Sequence, residues 1–234
     1  MMVHDSIIKS EHIINSNMQH QIEFTHKSGE SSSYGEFRHK ELSPTAKSSL
    51  SDAIDVQFFA NYYGSRKYPE QYNSHLPTKD IISNKRSDGI HSQRLGMAMA
   101  YHLKFFPDFI TNVDMIVPVP NFSSDWDSKF KANSIANNLS LYIKQFHNKV
   151  IPVKQFLKKT VKTNMKFMWR NERLDFFIKN PDTYCSTSDS NFYGKTVLLV
   201  DDVITCGTTM GSCLKKIISS GGNAYCFAAT HTKL

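Results

Sequence analysis

The second half of the chain alternates short apolar runs with amphipathic stretches. Val113-Asp114-Met115-Ile116-Val117-Pro118-Val119 is brief and rich in β-branched residues, the composition of a strand buried on both faces. From Lys131 to Phe146 the residues Ile135, Leu139, Tyr142 and Phe146 recur at three- and four-residue spacing, which predicts a helix with one apolar stripe. Val150-Ile151-Pro152-Val153 reads as a further short strand, and Thr196-Val197-Leu198-Leu199-Val200-Asp201 as another. Gly207 to Ser220 reads as a helix closed by Gly221-Gly222, since glycine accepts the left-handed backbone that ends helices. Ala224 to Thr230 is a last apolar strand. Strand and helix in this rhythm predict an α/β fold with a parallel sheet.

Upstream the pattern changes. Phe58, Phe59, Tyr62, Tyr63, Tyr68 and Tyr72 mark an aromatic stretch. Ile90 to Phe106 has helical spacing through Leu95, Met99 and Leu103, with Asp88-Gly89 as the cap region and Pro107 as the stop. Residues 1–55 are polar and serine-rich. Gln21-Ile22-Glu23-Phe24-Thr25 alternates weakly and predicts a strand that pairs with Tyr34 to Phe37 across a Gly/Ser turn. A hairpin and a mostly mobile tail are both open readings of this extension. The division is therefore an N-terminal extension, 1–55, and a domain, 56–234, whose core is 111–234.

Length and composition narrow the class. The chain's 234 residues suit one domain plus an extension. No uncharged apolar run approaches the ~18–20 residues of a membrane span, so no membrane contact is expected. His4 and Asp5 stand where a signal peptide would have its apolar core, and the expected location is cytoplasmic. Cys185, Cys206, Cys213 and Cys226 form no C-x-x-C pair and read as reduced thiols, not a zinc knuckle or redox dithiol. The 28 Lys and Arg against 21 Asp and Glu leave a net +7, which attracts phosphorylated ligands, whether nucleic acid or small metabolite.

The segment from Val197 to Thr209 narrows the chemistry further. An apolar strand ends in Asp201-Asp202, a turn follows through Thr205, Cys206 and Gly207, and a helix begins near Thr208 and Thr209. Ligands of open α/β sheets bind at the carboxyl ends of strands. Amides at a helix N-terminus, with threonine hydroxyls beside them, make a phosphate cradle, and a glycine lets the backbone approach closely. Two carboxylates would repel that phosphate. They suit sugar hydroxyls, which donate to them, or a divalent cation. Phosphate and diol at one strand end describe a sugar phosphate.

This segment resembles the 5-phosphoribosyl-1-pyrophosphate (PRPP) motif of type I phosphoribosyltransferases: apolar strand, two acids, then T-T-G-x-T, with Cys206 in place of the second threonine. Ile116-Val117-Pro118-Val119-Pro120 is similar to the strand and pyrophosphate loop of the ComF-like branch of that family. The resemblance covers about residues 56–234. The R-G-F-N-Q-A that follows the loop in the family appears here as Lys129-Phe130-Lys131-Ala132-Asn133, and the family's N-terminal zinc ribbon has no cysteine counterpart.

The resemblance implies a parallel sheet of about five strands flanked by helices, with a small N-terminal hood. It places Asp201 and Asp202 on the ribose hydroxyls as the catalytic pair, with Mg²⁺ reached directly or through water. It places Thr205, Cys206, Gly207, Thr208 and Thr209 on the 5-phosphate, and Val119, Pro120, Asn121 and Phe122 in the pyrophosphate loop. Lys158, Lys159, Arg170 and Arg173 belong to a basic segment that reads as a flexible lid over the pyrophosphate, or simply as a solvated face. The implied activity is Mg²⁺-dependent transfer of 5-phosphoribosyl between PRPP and an acceptor base. The alternatives are a non-catalytic sensor of PRPP or nucleotide, and a ComF-like accessory of DNA uptake or processing. For the last, Phe167 and Trp169 would stack on single-stranded nucleic acid. The acceptor and the subunit count, a homodimer included, stay open. A Walker B reading fails because the chain has no G-x-x-x-x-G-K-[ST] loop.

Overall fold

Four parallel strands with an antiparallel strand at one edge form the central sheet. The computed structural model describes residues 7–15, 19–25, 31–35, 38–41, 55–84, 89–121, 131–161, 168, 170–205 and 207–232, with backbone alone for 7–41. The first three strands, β1 (Ile7–Asn15), β2 (Gln19–Thr25) and β3 (Ser31–Gly35), form an antiparallel sheet of their own. In it Gln21 pairs with Gly35 and Thr25 with Ser31, so β2 faces Ser31–Gly35, of which only Tyr34 and Gly35 belong to the Tyr34 to Phe37 segment the sequence predicts, and Phe37 lies outside the described residues. β4 (Arg38–Glu41) is antiparallel to β5 (Asp55–Tyr62) and edges the central sheet.

Helices α1 (Pro69–Ser74), α2 (Leu76–Asn84) and α3 (Ile90–His102) follow. The sequence predicts one helix from Ile90 to Phe106. The α-helix instead tightens to a 3-10 turn over Leu103–Phe105, and Pro107 precedes the short α4 (Asp108–Thr111). The parallel strands are then β6 (Met115–Pro118), β9 (Thr196–Ile204) and β10 (Asn223–Thr232), with α5 (Lys131–His147) after β6 and α7 (Thr208–Ser219) after β9. Between α5 and β9 lie β7 (Leu157–Lys159), α6 (Arg170–Lys179) and β8 (Tyr184–Ser186), where β7 and β8 pair antiparallel as a two-stranded ribbon.

The sheet order is β4-β5-β10-β9-β6. Beyond β6, among the described residues, Val153 alone continues it, through a single parallel bridge to Ile116. The strand expected over Val150–Val153 is reduced to that bridge because Pro152 has no N–H to give a ladder. Its carbonyl still accepts from Ile116 N (2.9 Å), and Lys154 N donates to Ile116 O (2.9 Å).

Strand alternation sorts the core into two layers. Leu198 and Val200 of β9 pack with Leu95, Met99, Ile135 and Leu139, so α3 and α5 cover one face. Val197 and Leu199 pack with Met210, Cys213 and Ile217, so α7 covers the other. α3 and α5 approach closely at Gly96: a Cβ there would lie 2.6 Å from Asn138 Cβ and 2.7 Å from Leu139 N. The same helix pair is tied by Ser134 Oγ donating to Ser92 Oγ (2.8 Å) and Gln93 Nε2 donating to Tyr142 Oη (2.7 Å). Among the described residues no helix is long and apolar enough to cross a membrane.

The crossovers run in opposite directions. From β6 the chain passes through α5 to the Val153 edge, whereas from β9 it passes through α7 to β10 on the other side. The order therefore reverses between β6 and β9. Connections of one hand leaving in opposite directions put their helices on opposite faces, as α5 and α7 are. A crevice opens where two such connections part, outside the carboxyl ends of β6 and β9.

Candidate functional site at the β6–β9 switch point

Residues of both sequence motifs meet at that crevice. β6 and β9 pair from Met115↔Val197 to Pro118↔Val200. One further bond, Val119 N–H to Val200 O at 2.8 Å, holds Val119 alongside. Beyond that bond the chain leaves β6 through Pro120, while β9 runs on from Val200 into Asp201 and Asp202. Val119 is buried, Pro120 half-buried and Asn121 exposed. Phe122 lies outside the described residues.

The two acids are half-buried at the rim of the sheet, not sunk in its core. They leave opposite faces. Asp201 continues the layer of Val197 and Leu199 and acts electrostatically on Tyr184 and Cys213, on the α7 side. Asp202 follows Val200 and acts on Tyr62, at the end of β5 on the other side. Each carboxylate folds back on its own strand: Asp201 Oδ1 accepts from Asp202 N–H and Asp202 Oδ1 from Val203 N–H, both at 2.8 Å. Alternation then slips by one residue, because Val203 joins the first layer and Ile204 the second.

β10 backs this end of β9. Thr230 Oγ1 donates to Asp202 O (3.2 Å), and Thr205 Oγ1 and Thr232 Oγ1 share a hydrogen bond of 2.8 Å. Sequence reading ended the last strand at Thr230 and so missed Thr232, whose only signal is a β-branched residue two positions past the apolar run. It also missed Tyr62. Burial first, then Tyr72 and Asp202, raise this phenol's pKa above its ordinary value.

Gly207 starts α7 with φ +75° and ψ −2°, the left-handed region that favours glycine. Gly211 N–H donates to Gly207 O at 2.8 Å and closes the first turn. The N-cap Gly207 has no side chain to bond the first-turn amides, which point along the helix axis toward the end of β9. Thr208 is buried and Thr209 half-buried. Cys206 lies outside the described residues.

The basic segment divides. β7 is bonded to β8, with Lys158 opposite Cys185 and Lys159 opposite Tyr184. Lys158 is exposed. Lys159 is half-buried, and burial pulls its ammonium below the usual lysine pKa. Arg173 is half-buried, with Nε donating to Met168 O (3.1 Å). Arg170 opens α6, and its side chain is outside the described residues, as are Lys162, Lys166, Phe167 and Trp169. The structure thus brings Val119, Pro120, Asp201 and Asp202 together and sets Lys159 in the ribbon that also carries Tyr184.

Among the described residues no group of three or more His, Cys, Asp or Glu is placed to hold a metal ion. Two rim carboxylates still fit Mg²⁺, which commonly takes one or two protein carboxylates and completes its shell with water and substrate phosphate oxygens. A comparison with protein-family models and with curated proteins finds no match.

Proposed function

We propose that the protein binds PRPP at the β6–β9 crevice and transfers its 5-phosphoribosyl group to an acceptor base, with pyrophosphate leaving. One observation carries the reading. The topological switch point coincides with the Val119-Pro120 loop on one strand and the Asp201-Asp202 acids followed by a glycine-led helix start on the next. A sugar phosphate spans these features: its phosphate at the first turn of α7, its ring over the end of β9, and its 1-substituent toward Pro120 and Asn121.

The residues' work is holding and orienting. The α7 amides and the Thr208 and Thr209 hydroxyls take the 5-phosphate. Asp201 and Asp202 accept from the ribose hydroxyls, reaching a ring laid across the strand end from both faces. As the C1–O bond lengthens, positive charge grows on the ring, and two nearby carboxylates favour that charge. Mg²⁺, held by Asp201 and Asp202 directly or through water, would neutralise the pyrophosphate oxygens. The acceptor would enter on the Tyr62 side, where Asp202 lies.

Calorimetry with PRPP and Mg²⁺ tests the binding. Wild type binds, while Asp201→Asn/Asp202→Asn folds and gives no heat. A double variant with wild-type affinity refutes the site. Pyrophosphate release across a panel of bases tests transfer. Binding without release from any base would replace the enzyme with a PRPP sensor built on the same site.

A further inference from the structure

Asp80 of α2 and His91 in the first turn of α3 meet at 2.7 Å, Oδ1 to Nδ1. The Asp80 side chain is 1% exposed and that of His91 24%. A carboxylate only accepts, so Nδ1 carries the proton of this bond, and the neutral ring keeps its lone pair on Nε2. Arg94 Nη2 holds the same Oδ1 from another direction at 3.2 Å. Its 3.5 Å approach to Nδ1 sets donor against donor. Among the described residues nothing bonds Nε2. A buried acid that fixes an imidazole through Nδ1 leaves Nε2 as an oriented base, here in a ring that solvent reaches.

The pair stands at the same end of the sheet as Asp201 and Asp202. α5 carries the chain back from the carboxyl end of β6 toward Val153, which bridges β6 in parallel, so the first turn of α5 lies at that end. α3 runs parallel to α5: Ser134 Oγ donates to Ser92 Oγ (2.8 Å), Gln93 Nε2 to Tyr142 Oη (2.7 Å), and His147 Nε2 meets Ala100 O (2.8 Å). α2 reaches the same end, because Tyr63 N–H, one residue past β5, donates to Thr78 Oγ1 at 3.1 Å. β5 and β9 end level across β10, through Asn61↔His231 and His231↔Ile204. The layer that α3 covers is the one in which Asp202 follows Val200 and in which Tyr62 packs. His91 therefore stands on the Tyr62 side of the crevice, the side left for the acceptor.

We propose that His91 is the general base of the transfer: Nε2 takes the proton of the acceptor nitrogen as that nitrogen attacks C1. The inference rests on the PRPP reading above. It also gives the acceptor a class, heterocycles whose attacking nitrogen carries a hydrogen. The N–C1 bond forms from the nitrogen's electrons, the C1–O bond breaks with its pair leaving on pyrophosphate, and the N–H proton passes to Nε2. The imidazolium so formed lies against the Asp80 carboxylate, which stabilises it, and gives its proton to water after release.

The test uses the full chain with PRPP and Mg²⁺ and reads pyrophosphate release with adenine, guanine, hypoxanthine or uracil, whose ring nitrogens carry a hydrogen, and with nicotinate, whose ring nitrogen carries none at neutral pH. His91→Asn keeps an N–H for Asp80 in the place of Nδ1 and removes the basic nitrogen. With the base that wild type uses best, kcat is expected to fall about 10²- to 10⁴-fold, the usual worth of a general base, with KM, calorimetric PRPP affinity and melting temperature unchanged. His91→Ala, in which Arg94 still holds Asp80, is expected to lose as much and to recover roughly tenfold or more with added imidazole. A kcat within about threefold of wild type in His91→Asn overturns the inference and leaves the PRPP site standing. Matching losses of PRPP affinity and melting temperature also overturn it, since the pair is then structural, as does a folded His91→Ala that imidazole does not revive. A wild type that binds PRPP but turns over nicotinate alone, or no base at all, overturns it as well, there being no proton to take. A wild type that does not bind PRPP removes the PRPP reading and this inference together.

Discussion

Asp80 joins α2 to α3 beneath the surface, and its removal should be among the most damaging single changes in the chain. Its side chain is 1% exposed and takes His91 Nδ1 at 2.7 Å and Arg94 Nη2 at 3.2 Å, both from the first turns of α3. The same end of α3 carries Ser92, which links it to α5. Asp80→Ala deletes two bonds to charged or chargeable partners and strands Arg94, whose side chain is only 12% exposed. Hydrogen bonds to charged groups contribute about 1.5–3 kcal/mol each, and breaking a buried pair costs about 3–5 kcal/mol. His91 is 24% exposed and recovers water, so its share falls toward the lower end. The expected loss is about 3–4 kcal/mol for Asp80→Ala and about a kilocalorie less for Asp80→Asn, which keeps one acceptor. Urea unfolding followed by far-ultraviolet circular dichroism measures both. The diagnostic variant is Asp80→Leu/Arg94→Met. It removes the stranded cation and should be more stable than Asp80→Ala, because much of the single-mutant cost is the uncompensated guanidinium. A loss under about 1 kcal/mol for Asp80→Ala, or simple additivity in the double variant, would refute the clamp.

Gly207→Ala forces a Cβ into φ +75° and should cost about 1–2 kcal/mol, with Gly207→Asn losing less because asparagine tolerates this region; equal melting temperatures for the two would contradict that account. Asp114 accepts from Thr196 N–H at 2.8 Å, and that bond first, then the nearby Lys195, lowers its pKa below the ordinary aspartate value. Its contribution should be full above the unfolded-state pKa of about 3.9 and fade as pH falls through the lower folded value, so the stability gap between wild type and Asp114→Asn should be flat at neutral pH and close in acid. A gap that persists below pH 2, measured by urea midpoints, would oppose it. Asp201→Asn and Asp202→Asn should each weaken PRPP binding by roughly tenfold or more, and the double variant should lose more than either single but less than the sum, since Asp201 Oδ1 accepts from Asp202 N–H and couples the two; a double variant no weaker than either single would mean one carboxylate does the holding.

The sheet was legible because its strands are buried on both faces and read as unbroken apolar runs. Leu198, Leu199 and Val200 announce a strand without any partner being known. Strand order was not legible: nothing local in Val117 or Leu199 says that β6 and β9 are neighbours, because pairing is a long-range choice. Val150–Val153 looked like a full strand because β-branched residues surround Pro152, and the missing N–H outweighed them. At the site, strand ends and glycine turns marked Asp201, Asp202 and Gly207. The opposite facing of the acids also follows from period-two alternation, whereas the slip after Asp202 has no sequence signal. Lys159 stood out only as one cation of a basic segment, and the ribbon that sets it opposite Tyr184 had no signal, because β7 and β8 are three residues each, too short for any periodicity to show.

The order reversal explains why the two motifs, about eighty positions apart, act as one site. A parallel strand must connect through a crossover of fixed hand, so two strands whose connections leave in opposite directions part above their carboxyl ends whatever their side chains are. Backbone topology supplies the cleft, and local sequence decides what fills it. Here the β6 side contributes a proline-led loop, and the β9 side contributes carboxylates on both faces and a glycine that aims helix amides inward. Shifting β9 by one residue against β6 would exchange the faces of Asp201 and Asp202 and carry Leu198 and Leu199 into the wrong layers. The packing of the two core layers therefore sets the register in which β6 and β9 reach their common end, Pro118 beside Val200, and changes deep in either layer should reach the site through that register before they reach it through any contact.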